Sequence, residues 1–538
     1  MMDNTQQDYP FPPVEPWTSV EHVVSLQQPI SPSLGLDITS IGDLLPFNID
    51  YGVFDLLTED ANSSNRDLLD QCFDLNIRDL VNQPLRPAVQ GFQTESNNTA
   101  DTSRQLSPPR LAELCHLPSA LTDYFFKEVI KLYCTWDNSF NSLRIMIGRM
   151  WQSSGALHHI MQSMAAICLS ESFPHLASTA FGERSYALEY LQQNSTSPSC
   201  KEEHALATFL FGHSSGWFDP LDLATDKFLE AEVIISSWCL PDSEFSWSFL
   251  EEVLDFWKML LAFTTKTADG KDSVRQTCIS PSQLTDRTFP HAWNGISREI
   301  VQLMADVGRL VFSVRTSLPN VLFTNEHHID FFRDTLEKAG HLEQQLLAFV
   351  AADASCIVDP GDPNTPPTHF QLMDEAFRYT GLLQLYRVFP ELLTRRYRPW
   401  NKDEVLLPLE TSKIPTRHER SAWLTSLATH VVQILQEIPF ESLTRCIQPF
   451  VMVAVSGELR YHDQIPGTGT ILGASIETPR ARNFVKSRLA AYAHVLPLPK
   501  VQQHYQLVKD IWAAIDSGDE DVYWVDVASQ KKLSPLMA

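Results

Sequence analysis

The sequence predicts an all-α protein, a large multi-helix domain behind an acidic tail, and three features carry that prediction. Apolar residues recur at steps of three and four in segment after segment, the period of a helix with one buried face. No stretch of useful length alternates apolar and polar residues in the period of two that marks a strand. Only 20 glycines stand beside 43% hydrophobic residues, which disfavours a glycine-rich α/β nucleotide-binding scaffold, and 538 residues are ample to bury a large core.

Charge and cysteine spacing narrow the function. The chain carries 41 Lys+Arg against 66 Asp+Glu, net −25, a balance that argues against wrapping nucleic acid through the overall field. Nine cysteines are scattered so widely that the closest two, Cys115 and Cys134, are nineteen positions apart. Zinc clusters need thiolates about two to four residues apart, so no local zinc site is expected, and the odd, scattered set suits a reducing compartment. The opening MMDNTQQDYPFPPVEP has neither the basic start nor the apolar run of a secretory signal. Apolar stretches such as MLLAF (259–263) and FVMVAV (450–455) are too short to cross a bilayer, so no membrane partner is expected. Nothing in the chain calls for a metal or a cofactor.

Residues 1–108 read as the first domain. They hold sixteen Asp+Glu, four Arg and no Lys, a net charge of −12, with repeated prolines and Ser/Asn/Gln clusters. Such a segment buries too little apolar surface to offset ordering and is expected to be mostly disordered. From Ile38 to Leu80 it sets Leu44, Leu45, Phe47, Tyr51, Phe54, Leu56, Leu57, Leu68, Leu69, Phe73 and Leu75 among Asp43, Asp50, Asp55, Glu59, Asp60, Asp67, Asp70 and Asp74. Carboxylates keep such apolar side chains solvated until a partner's groove takes them as a short helix, the composition of an activation segment. The alternative is an N-terminal arm packed on the chain's own body.

The second domain, 109–538, is read helix by helix. Leu121–Trp151 is predicted as one helix started by Thr122, followed by helices over Gly155–Pro174 and Leu176–Gln193. His158 and His159 are adjacent and point about 100° apart, so they are structural rather than a metal pair. Glu326, His327 and His328 lack the HExxH spacing of a zinc helix. Gly212-His213-Ser214-Ser215-Gly216 satisfies the nucleophile-elbow pattern with Ser214 as nucleophile, but that pattern needs a strand before it and a helix after it. The preceding EEHALATFLF reads as helix and Pro220 follows, so a helix-ending turn is the reading and a serine hydrolase the alternative.

Further along, the segment 251–263 is expected as a helix and 289–315 as a turn leading into a helix from Arg298, with Trp293 burying a ring at the helix entry, Gly295 permitting a bend and Ser297 as cap. After the break DPGDPNTPP (359–367) comes Gln371–Arg396, with Leu372, Ala376, Tyr379, Leu382, Leu383, Tyr386, Phe389 and Leu393 on one face. Asp374/Arg378 and Glu391/Arg395 are expected as exposed i,i+4 pairs, and Pro390 should divide the helix near Phe389. Helical segments over 421–438, 438–460, 478–499 and 501–538 complete the chain, with Arg480, Arg482, Lys486 and Arg488 as a solvated face or a phosphate-contacting one.

FRYTGLLQLYRVFPELL, with Tyr379, Leu383, Tyr386 and Arg387, resembles the central signature of the fungal-specific transcription factor domain, the helical regulatory region found behind the zinc binuclear cluster of many fungal regulators. Trp293, Gly295 and Ile296, and later Trp512, Asp516 and Trp524, match the same family in order, from about Leu111 to the end. The resemblance implies a nuclear transcriptional regulator or co-regulator, controlling for example a biosynthetic gene cluster, and places GHSSGWFDP in a loop. Its implied partners are a coactivator, a DNA-bound transcription factor or a second copy in a homodimer. Relatives carry a cysteine-rich zinc cluster and a basic linker, and this sequence has neither. The DNA-binding part has been lost, lies outside this sequence, or is supplied by a separate protein, so DNA is reached only indirectly. A helical scaffold without regulatory output is the blander alternative.

Overall fold

A computed structural model describes residues 116–194, 201–237, 244–266, 288–317, 325–407, 414–462 and 472–531, all within the unit Asp74–Ala538. The acidic segment from Leu44 to Leu75 lies outside them. Among the described residues the architecture is all-α, with one isolated parallel bridge between Thr288 and Ile357. The helices are α1 (Leu117–Lys127), α2 (Ser142–Met150), α3 (Gly155–Leu169), α4 (Leu176–Asn194), α5 (Lys201–His213) and the single turn α6 (Ser215–Phe218). Next come α7 (Thr225–Ser236), α8 (Glu244–Ala262), α9 (Arg298–Ser317), α10 (Glu326–Ala348), α11 (Pro367–Val388) and α12 (Pro390–Arg396). The last are α13 (Arg417–Gln436), α14 (Gln448–Ser456), α15 (Leu472–Ala491), α16 (Leu498–Asp516) and α17 (Trp524–Lys531).

The helix predicted over Leu121–Trp151 is two helices. DNSFNS breaks it: Asn141 caps α2 by accepting the Arg144 N–H at 3.1 Å, and Asp137 pairs with the Arg144 guanidinium at 2.6 Å. Asn138 likewise accepts the Phe140 N–H at 2.8 Å, so that short polar side chains bond the backbone in place of the helical ladder. Thr122 does not start α1 either. It lies inside the helix, donating to the Pro118 carbonyl, and Pro118 opens the first turn, where its missing N–H costs nothing. For α13 the start is a capping box in which Thr416 accepts the Glu419 N–H and Glu419 accepts the Thr416 N–H.

Helix α11 is the hub, packing on α9, α10, α12, α13 and α14. Pro366 and Pro367 start it, and Pro390 ends it as expected, opening α12 as a separate helix. It is not amphipathic: every residue from Ala376 to Tyr386 is buried. The expected exposed pair Asp374/Arg378 is therefore corrected, since both are buried and each has a partner elsewhere. Asp374 accepts the Ser297 N–H at 2.9 Å, at the entrance to α9. Arg378 donates to the Leu346 and Leu347 carbonyls at 2.7 and 2.6 Å, at the C-terminal end of α10. An anion at one helix start and a cation at another's end both complement the helix dipoles. Gln384 accepts from the Tyr523 hydroxyl at 2.6 Å and the Trp524 indole at 2.8 Å, and donates to the Ala454 carbonyl at 3.1 Å, tying α11 to α14 and α17. Tyr379 and Leu383 lie in the core, with Tyr379 edge-on to His430.

Nor do Arg480, Arg482, Lys486 and Arg488 share a face. Arg482 and Arg488 are buried, the first bonded to Asp516 and the Leu459 carbonyl, the second to the carbonyls of Leu435 and Ile438 at the end of α13. Only Arg480 and Lys486 of the four are exposed. Gly295 adopts φ 65°, and a Cβ there would meet Thr135 at 2.6 Å and Phe370 at 2.8 Å, so this turn requires glycine. Trp293 is buried in an aromatic cluster with Tyr133 and His213. Ser297, read as a cap, contributes instead through its backbone N–H to Asp374.

Replacing Gln384 by Leu strands the Tyr523 and Trp524 donors in the core and should cost about 2–5 kcal/mol, read as a lowered urea midpoint. Burial pushes the Asp374 carboxyl up to about 7, against the lowering effect of its bonds from Ser297. The folded chain thus keeps a proton that the unfolded chain has lost, and this group's contribution to stability falls as pH rises from about 4 to 7. Denaturation of Asp374→Asn beside the parent across that range should show the variant gaining relative stability with pH.

Candidate functional site: an ionic cleft at the end of the central helix

The GHSSG pentapeptide is helical on both sides of Ser214, so the expected loop is corrected: α5 runs to His213 and α6 begins at Ser215. Ser214 is wholly buried, and its hydroxyl donates to the Leu210 carbonyl at 2.7 Å while accepting from Arg184 at 3.0 Å. Arg184 also donates to Ser215 Oγ and the Phe211 carbonyl and lies over the Phe211 ring. His213 stacks among Trp257 and Trp293. Close packing accounts for the two glycines. A Cβ at Gly212 would meet Trp257 at 2.1 Å, and one at Gly216 would meet Lys500 Nζ at 2.9 Å. The hollow beside them measures about 10 Å³, room for no more than one water. Lys500 is buried there, donates to Gln503 Oε1 at 3.1 Å, and burial pulls its amine down to about 7.

The adjacent pair His158 and His159 serves packing. His159 bonds Glu183 at 2.6 Å and stacks on Tyr190, while His158 stacks on Trp151. Among the described residues no group of three or more His, Cys, Asp or Glu is placed to hold a metal ion, and no helix is long and apolar enough to cross a membrane.

A cleft of about 870 Å³ opens where α11 ends. It lies within the volume range of small-molecule sites, about 300–1,000 Å³. Four parts of the chain build most of it, with Arg315 of α9 and Pro390 of α12 beside them. The last turn of α11 supplies Tyr386, Arg387 and Val388, and one stripe of α13 supplies Arg417, Arg420, Ser421 and Leu424, three and four apart. The exit from α14 supplies Arg460, Tyr461 and His462, and the turn between α16 and α17 supplies Asp519, Glu520, Asp521 and Tyr523. Gly518 opens that turn at φ 93°, a left-handed conformation that glycine adopts without strain.

Arginines hold the turn. Arg387 donates to the Glu520 and Val522 carbonyls at 2.6 and 2.9 Å, and Arg460 donates to the Val522 carbonyl at 2.9 Å. At the rim Arg417 pairs with Glu520 and Asp521, each at 2.8 Å. Arg315 from α9 pairs with Asp526 of α17. Behind the wall the buried Glu458 lies 3.1 Å from Arg387 Nε and 3.5 Å from Arg460 Nε, but neither N–H is aligned on it as a hydrogen bond. Burial pulls the Arg460 guanidinium below its usual value; Glu458 opposes this and Arg387 adds to it. Arg482 holds Asp516 through two bonds of 2.7 and 2.9 Å and lies over the rings of Tyr461 and Trp512, whose indole donates to the Ser456 carbonyl at 3.0 Å.

Of the residues singled out from sequence, Tyr386 and Arg387 line the cleft and Trp512 and Asp516 support its floor, whereas Trp293, Gly295, Tyr379 and Leu383 lie in the core away from it. Sequence reasoning passed over Arg315, Arg417, Arg420 and Arg460. The stripe Arg417, Arg420, Ser421, Leu424 was readable as one helix face, but its opposing wall comes from residues about 40 to 100 positions on.

A fluorophosphonate probe should leave Ser214 unlabelled in the folded protein, because its hydroxyl has no exposed surface and is bonded on two sides. Gly212→Ala, by contrast, should lower the thermal midpoint, since the overpacked methyl against Trp257 costs about 1–3 kcal/mol.

A family model described as fungal specific transcription factor domain matches residues 120–538. No curated protein and no solved structure matches the chain.

Proposed function

The chain belongs to the fungal-specific transcription factor domain family, and from that premise we propose that it is a nuclear transcriptional regulator that reaches promoters through protein contacts. One observation carries the reading: the family's regulatory region spans 120–538, yet the nine cysteines of this sequence are never close enough to form a zinc cluster. Grip on a promoter then comes from a DNA-bound transcription factor, or from a second copy joined to one. The residues before the helical body act as the output. Leu44, Leu45, Phe47, Tyr51, Phe54, Leu56 and Leu57, followed by Leu68, Leu69, Phe73 and Leu75, dock as short helical turns in a coactivator's groove while the interleaved acids keep them soluble. A set of genes acting together, such as a biosynthetic cluster, is a fitting target for a regulator recruited in this way.

Residues 1–108 fused to an unrelated DNA-binding domain should raise reporter output several-fold. Alanine at Phe47, Phe54, Leu56 and Leu57 together should abolish the gain. No response from the intact tail would remove its role, and exclusion of the tagged full chain from nuclei would favour a scaffold instead.

A further inference from the structure

The inner end of the cleft is short of negative charge. Two guanidiniums, Arg387 and Arg460, share the single carboxylate of Glu458, and Arg460, 6% exposed, otherwise bonds only the neutral carbonyls of Asp519 and Val522, at 3.4 and 2.9 Å. Arg420, half-buried on the facing helix α13, lines the same space and has no ion-pair partner among the described residues. The acids nearby are engaged: Glu520 and Asp521 by Arg417, Asp516 by Arg482, and Asp526 by Arg315. Asp519 remains at the rim, where it accepts the Asp521 N–H at 3.0 Å. Arg387 and Arg460 thus lean mostly on neutral carbonyls, and an anionic oxygen group supplies guanidiniums with shorter, charge-assisted bonds than these. Beside them Val388, Pro390 and Leu424 offer apolar surface.

We propose that this cleft binds a small organic molecule through an oxyanion group, carboxylate or phosphate, seated between Arg420 and Arg460, with its apolar part against Leu424, Val388 and Pro390. The occupant then contacts α11, α13 and the exit from α14 at once. The claim concerns binding alone and stands apart from the promoter reading, so failure of one leaves the other intact.

The test is titration calorimetry and thermal shift on the full chain with phenylacetate, inorganic phosphate and, as a cation of matching shape, phenethylamine. Phenylacetate or phosphate should bind saturably, more weakly as salt is raised, and phenethylamine should not. Binding by phenylacetate alone points to carboxylic acids as the source, and binding by phosphate alone to phosphate-bearing metabolites. Arg420→Gln, at a half-buried position with no ion pair among the described residues, should weaken binding about tenfold or more, with Arg420→Lys in between. Absence of binding by both anions at millimolar concentration, equal binding of the amine, or unchanged affinity in a folded Arg420→Gln protein would overturn the proposal.

Discussion

The fold depends on the burial of α11 on every side. A helix in that position cannot leave a polar side chain unmatched, because an unpaired buried group costs about 1–3 kcal/mol, more for a charge. Its buried charged and amide side chains are therefore spent on a neighbour's backbone or side chain. Asp374 meets the entrance to α9, Arg378 the end of α10, Gln384 the Ala454 carbonyl and the start of α17, and Arg387 the turn before α17. The same contacts that satisfy α11 fix where its neighbours begin and end.

Arginine repeats this role beyond the hub. Arg488 takes the last carbonyls of α13, Arg482 joins Leu459 to Asp516, and Arg184 stitches α4 to the turn at Ser214. Cations used inside in this way are withdrawn from the surface, in a chain that already carries net −25. That use of arginine agrees with a body that works through protein contacts rather than a phosphate-tracking face. The cleft is the place where this internal economy leaves a remainder, two guanidiniums around one carboxylate, and there the charges of the wall face open space.

Helix positions were legible wherever spacing and caps agreed: α3, α4 and α5 follow the predicted segments closely, and Pro390 divides the central helix where its missing N–H requires. Boundaries failed where short polar side chains took over the backbone, as Asn138 and Asn141 do between α1 and α2. Exposure failed at charged residues, because Asp374, Arg378, Arg482 and Arg488 look solvent-facing by type and are buried by virtue of distant partners. Of the cleft, only Tyr386, Arg387 and Asp516 stood out in the sequence. Their facing residues sit on α13, after α14 and before α17, and no local period connects them.

By itself the sequence determined the helical class, the proline and glycine stops, the family signature along α11 and the lack of closely spaced thiolates, since each rests on residues within a turn or two of one another. Tertiary structure alone decided that GHSSG is a packed helix junction, that Arg482 and Arg488 of α15 point inward, and that five arginines, from α9, α11, α13 and the exit from α14, line one cleft. The physical reason is range: periodicity and capping act over a few residues, whereas desolvation and charge pairing depend on what the rest of the chain brings alongside.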